Sequence, residues 1–128
     1  MNGPIKQINN VYGYCRVSTQ EQAQNGISLE TQKELIVNFI KEKYNREVDE
    51  WFIDDGVSGT VPILERNRCK AMTDVIDRHD VIVATRIDRL SRSAGDMLKT
   101  IPVLEDTGIT LYLCEQFGDV PVVYPKPK

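Results

Sequence analysis

The chain has 128 residues and a mass of 14.6 kDa, the size of one compact domain. With 41% hydrophobic and 27% charged residues it reads as a soluble globular protein. No apolar run approaches the ~20 residues that cross a bilayer, and residues 1–10 lack the basic start and apolar stretch of a signal peptide. The formal net charge is −3, so any surface for nucleic acid must concentrate its positive charge on one side. The three cysteines, Cys15, Cys69 and Cys114, are widely spaced, form no CxxC pair and share the chain with a single histidine, His79. That pattern supports neither a zinc site nor a disulfide framework, and it predicts reduced, buried thiols in a cytoplasmic protein.

After an N-terminal extension (residues 1–10), Val11 to Val17 reads as a strand. It carries Val11, Gly13, Cys15 and Val17 on one face and Tyr12, Tyr14 and Arg16 on the other. Ser28 is a candidate N-cap, and Leu29, Gln32, Leu35, Ile36, Phe39, Ile40 and Tyr44 recur at helical spacing. Val48 to Ile53 predicts a second strand, and Asp54 to Thr60 a turn-rich loop with Gly56 and Gly59. A helix is expected from Asn67 to Arg78, burying Met72, Val75 and Ile76. The apolar run Val81 to Ala84 follows, as a strand covered on both faces would. Arg86 to Ser93 is a polar loop. Ser93 to Thr107 predicts a helix kinked at Pro102, and Ile109 to Cys114 a fourth strand. Three prolines between Val120 and Lys128 predict an extended or disordered tail. This β-α-β-α-β-α-β order predicts an α/β fold: a doubly wound, mostly parallel open sheet with helices on both faces.

Functional groups in such sheets gather beyond the carboxyl ends of the strands. Five of the eight arginines (Arg16, Arg66, Arg86, Arg89 and Arg92) fall in segments leaving those ends, whereas His79 precedes the third strand and belongs at the opposite edge. Guanidinium forks bind phosphate bidentately and keep their charge at working pH. Five around an exposed serine therefore point to a phosphate. Ser18, Ser58 and Ser91 compete as nucleophile; Ser18 lies two residues from Arg16, Ser58 looks like a turn residue, and Ser91 like a helix start. A Ser-His-Asp hydrolase does not fit, because His79 is at the wrong edge and no GxSxG elbow occurs. The hydroxyl must then be activated by positive charge or pass its proton to a carboxylate or the substrate, and Asp88 is the nearest acid or, equally, an ion-pair partner orienting Arg86 and Arg89.

Tyr14-Cys15-Arg16-Val17-Ser18-Thr19 with Gln22, then Asp54-Asp55-Gly56-Val57-Ser58-Gly59, then Asp88-Arg89-Leu90-Ser91-Arg92-Ser93 resembles the catalytic domain of serine site-specific recombinases. This is the family of resolvases, invertases and large serine integrases, and the Gly-Val-Ser-Gly loop looks more like its integrase and transposase branch. The resemblance implies that Ser18 attacks a DNA phosphodiester to form a 5′-phosphoserine. It implies that Arg16, Arg89 and Arg92 activate the serine and hold the phosphate, with Asp88 as acid or orienting group. Arg66 matches the arginine that closes the site, Tyr14, Gln22 and Gln32 match supporting positions, and Arg86 stands where lysine is frequent. No metal or nucleotide cofactor is implied. The implied partners are double-stranded DNA and further subunits, a dimer and then a tetramer in the active synapse, with no membrane, in a bacterial, archaeal or phage-encoded protein.

On this reading residues 11–119 form the catalytic domain and 120–128 a proline-rich tail, with no DNA-binding domain present. Four positions depart from the family pattern: Cys15 replaces a small residue, Asn67 a frequent proline, Pro102 interrupts an interface helix, and nothing after Glu115 resembles the long interface helix. These last two favour an alternative, a non-cutting remnant or regulatory module that binds recombinase subunits. A third reading, a flavodoxin-like phosphate-binding domain, rests on Asp54-Asp55 as a pair able to hold Mg²⁺.

Overall fold

A computed structural model describes residues 8–19, 28–86 and 94–125. The elements are β1 (Val11–Val17), α1 (Leu29–Tyr44), β2 (Glu50–Asp55), a 3-10 turn (Ile63–Glu65), α2 (Asn67–Val75), β3 (Val81–Ala84), α3 (Ala94–Thr107) and β4 (Thr110–Leu113). The four strands form one parallel sheet in the order β2-β1-β3-β4. Strand alternation sorts the core into two layers. Val11, Cys15, Val81, Val83 and Tyr112 pack with Ile36 and Ile40 of α1 on one face. Tyr12, Tyr14, Phe52, Ile82, Ala84, Leu111 and Leu113 pack with Cys69 and Met72 of α2 and Met97 and Leu104 of α3 on the other. The sheet is therefore doubly wound, as expected. Connections leave β1 and β3 in opposite directions, which places the switch point, and the expected site, at the carboxyl ends of these two strands.

Local chemistry explains the helix ends. Ser28 takes an extended conformation and its Oγ accepts from Thr31 N at 3.1 Å, satisfying one orphan donor of α1. Asn45 closes the helix in the left-handed region, donating to the Lys41 carbonyl at 2.9 Å. Two sequence expectations shift. The second strand runs Glu50–Asp55 instead of Val48–Ile53, because Asp54 alternates with Phe52 onto the buried face. The following helix stops at Val75, not Arg78; the Asp80 carboxylate accepts from Asp77 N and turns the chain, leaving Val75 exposed. The third helix ends at Thr107 with Pro102 inside it, as expected.

The proline-rich end is extended and packed as far as it is described. Val122 N donates to the Leu111 carbonyl and Leu111 N to the Val123 carbonyl, an antiparallel bridge along the outer edge of β4. Val123 is buried in the core, so the packed chain runs past residue 119 and covers an edge strand otherwise open to pairing.

Close packing at one glycine gives a prediction. Gly13 sits beside Trp51 in the β1–β2 register, and a Cβ there would lie 2.5 Å from Trp51 Cε3 and closer still to Cζ3. The Lys33 ammonium lies over the same ring, 5.6 Å from its centroid. Gly13→Ala is expected to cost about 1–3 kcal/mol through overpacking. Trp51→Ala in the same chain should recover most of that loss in a denaturant titration; an additive pair of losses would refute the clash.

Candidate active site

At the carboxyl end of β1 the side chain of Arg16 is completely buried, and its Nη1 donates to the Val57 carbonyl at 2.9 Å. Gln32, buried on α1, donates from Nε2 to the Arg16 carbonyl at 3.2 Å, tying the start of that helix to the strand end. The Val17 carbonyl accepts from both Gly56 N (2.7 Å) and Val57 N (3.1 Å), so the glycine loop folds over the end of β1. That turn places Gly56 at φ +77°, a conformation side-chain-bearing residues rarely adopt. Ser18 follows immediately and is partly exposed at the mouth of this arrangement.

Behind it lies a buried polar chain. Arg66, only 1% exposed, donates from Nη1 to the Tyr14 hydroxyl (3.0 Å), from Nε to the Val61 carbonyl (3.0 Å) and from Nη2 to the Gly59 carbonyl (3.4 Å). Tyr14 in turn donates to Asp54 Oδ2 at 2.9 Å. Asp54 also accepts from Arg68 N at Oδ1 (2.9 Å) and Cys69 N at Oδ2 (3.2 Å), so it caps the first turn of α2 from another element. Burial is the main cause that holds the Tyr14 phenol well above its ordinary titration range, which keeps it a donor.

Arg86, at the carboxyl end of β3, is half-exposed and 3.9 Å from Glu115 Oε1, a loose ion pair of small energetic weight. Beside it Thr85 is wholly buried, and its hydroxyl finds no hydrogen-bond partner among the described residues. The structure thus brings Arg16, Ser18, Gln32 and Arg86 to one sheet edge, with Tyr14 and Arg66 behind. Gln22, Asp88, Arg89, Ser91 and Arg92 lie outside the described residues. His79 stands at the opposite edge, its backbone N–H donating to the Gly108 carbonyl and its carbonyl accepting from Asn9 N.

Two alternatives lose their footing. Ser58 Oγ is 2.9 Å from Thr60 Oγ1 and accepts from Thr60 N, the geometry of a turn residue. Asp54 and Asp55 do not converge: the first is buried and committed to Tyr14 and α2, the second exposed. Among the described residues no group of three histidine, cysteine or acidic side chains gathers as metal ligands. The structural role of Asp54 was missed in the sequence, and alternation with Phe52 was the signal for its burial. Nothing in the sequence marks Thr85.

The thiols give a second prediction. Burial pushes Cys15 and Cys69 up to about 12 and Cys114, just past β4 and only partly buried, up to about 11. A thiol held neutral by folding stabilises fully below its unfolded value of about 8.5, and loses that contribution as pH rises toward the folded value. Melting temperature should therefore fall between about pH 9 and 12, and Cys114 should react with a thiol reagent before the other two. Simultaneous rapid labelling of all three at pH 8 would contradict this burial.

The geometry defines an α/β domain that presents a serine at a strand end beside guanidinium groups held by a glycine loop. The family model "Resolvase, N terminal domain" matches residues 11–122. The chain belongs to this family, the catalytic domain of serine recombinases. It is 29% identical over 121 residues to the transposon Tn2501 resolvase of Escherichia coli, covering 88% of this chain and 53% of that protein. It is 26% identical to serine recombinase PinR of Escherichia coli (strain K12), covering 94% and 57%. The chain thus spans about half the length of these relatives. Among solved structures, the N-terminal catalytic domain of TP901-1 integrase superposes with a TM-score of 0.69 at 30% identity, covering 84% of this chain and 79% of that one. A resolvase family site-specific recombinase from Streptococcus pneumoniae gives 0.68 at 26%, covering 91% and 76%. Among the described residues no helix is long and apolar enough to cross a membrane.

Proposed function

We propose that this domain cuts and rejoins double-stranded DNA through a 5′-phosphoserine on Ser18. The observation that carries the reading is the placement of Ser18, partly exposed, directly after the strand whose Arg16 is buried and bonded to the overlying glycine loop. Ser18 Oγ forms a bond to phosphorus as the bond to the 3′-oxygen breaks. The serine proton passes to a carboxylate, for which Asp88 is the candidate, or to the substrate, and the leaving oxygen takes up a proton to become a 3′-hydroxyl. Arg16, Arg89 and Arg92 neutralise the charge that builds on the phosphoryl oxygens, a contribution that can reach about 10³–10⁵ in rate for one arginine. The phosphoserine conserves the energy of the broken bond, and the 3′-hydroxyl of a partner strand reclaims it. Exchange of partners requires several subunits on the DNA, so self-association is part of the proposal.

A duplex from the ends of the DNA element that carries this sequence, with sulfur in place of the bridging 3′-oxygen at the cut position, tests the chemistry. The thiolate leaving group rejoins poorly, so a covalent protein–DNA adduct should accumulate. A chain that binds recombinase subunits and yields no adduct would instead be a non-cutting regulatory module.

A further inference from the structure

We infer that Arg66 is a positioning residue, which never meets the DNA and acts on Arg16 through the 56–61 loop. The inference rests on the function proposed above for Arg16 and deepens it. Arg66 is an arginine from a segment leaving a strand end, and its charge alone would make it a phosphate ligand. Its surroundings say otherwise. Each of its three nitrogens donates within the fold, to the Tyr14 hydroxyl and to the carbonyls of Gly59 and Val61.

Those two carbonyls belong to the loop whose other end covers β1. There Gly56 N and Val57 N hold the Val17 carbonyl, and the Val57 carbonyl holds Arg16 Nη1. Arg66 fixes positions 59 and 61 of one short loop, while the strand end fixes 56 and 57. The Val61 N to Ser58 carbonyl bond (3.1 Å) links the two halves. A planar fork can satisfy acceptors in three directions at once, whereas a lysine ammonium cannot reproduce that spread. The Tyr14 hydroxyl, donating its own hydrogen bond to Asp54, anchors the fork to the sheet and connects the buried cation to a carboxylate. Displacing the loop moves the carbonyl that aims Arg16. A shift near 1 Å at such a group can cost about 10² in rate.

The test compares wild type, Arg66→Lys and Tyr14→Phe by amide hydrogen exchange without DNA. Exchange at Gly56 and Val57 should quicken at least ~10-fold in Arg66→Lys, with the β1–β3 ladder unchanged. Unchanged exchange at those two amides, or a loss spread evenly across the sheet, overturns the inference. If Arg66→Lys fails to fold, Tyr14→Phe, which keeps the ring and removes only the anchoring hydroxyl, carries the same reading. With DNA, Arg66→Lys should lower single-turnover cleavage ~10²-fold without altering the salt dependence of binding, and Arg16→Lys/Arg66→Lys should be no slower than Arg16→Lys alone. A salt slope smaller by about one would make Arg66 a phosphate ligand and refute its positioning role. If wild type itself never cleaves, the cleavage reading fails, while the exchange results still decide whether Arg66 sets the loop.

Discussion

Replacing Ser18 by alanine is expected to remove covalent attachment to DNA altogether while leaving the fold intact. Only one oxygen is lost, at a partly exposed position just beyond β1, so the stability cost should stay within about 1 kcal/mol. No other described serine offers a substitute. Ser58 is engaged in its own turn with Thr60, and Ser58→Ala should leave adduct formation unchanged. Paired measurements of adduct yield and melting temperature separate the two roles open to Ser18. Loss of adduct with an unchanged melt makes it the nucleophile, whereas a large fall in melting temperature would make it a structural hydroxyl.

The largest effect on stability is expected at Asp54. Its carboxylate takes a hydrogen bond from Tyr14, meets the backbone donors of Arg68 and Cys69 at the start of α2, and is connected through Tyr14 to the buried Arg66 charge. Asp54→Ala leaves the Tyr14 hydroxyl and the Arg68 and Cys69 amides without this acceptor inside the fold. A loss of about 3 kcal/mol or more is expected, of the size seen when one partner of a buried charge network is removed. In a domain of this length that corresponds to roughly 10 °C in melting temperature. Asp54→Asn keeps one carbonyl acceptor for α2 but turns a donor toward others, so it should fall between wild type and Asp54→Ala in a urea titration. A loss below about 1 kcal/mol for Asp54→Ala would mean that α2 and Arg66 are held by other contacts.

The same two residues show what the amino-acid sequence discloses and what it withholds. The position of Ser18 was legible because β1 is a short, mostly apolar run bounded by polar residues, so the residue just past its end could be counted. The first helix was legible for a similar reason, with Ser28 as cap and apolar residues at helical spacing up to Tyr44. Asp54 was misread because Asp-Asp-Gly looks like a turn, and only the buried face shared with Phe52 keeps it in the strand. The end of α2 was misread because Val75 and Ile76 continue the helical spacing, while the stop comes from the Asp80 carboxylate, which holds Asp77 N. Arg66 was recognisable as part of the site, but its role depends on partners at long range. Tyr14 is 52 residues away from it and 40 from Asp54, and no local pattern encodes that meeting.

In the proposed reaction the strand-end serine, beside a buried arginine, forms the bond to DNA. The most direct measurement is to trap the full chain on a duplex with the bridging sulfur, digest the adduct, and locate the nucleotide-bearing peptide by mass spectrometry. A nucleotide on Ser18, carried through a 5′-phosphate and absent from Ser18→Ala, is the predicted result. An adduct on another residue, or one that persists in Ser18→Ala, would contradict it.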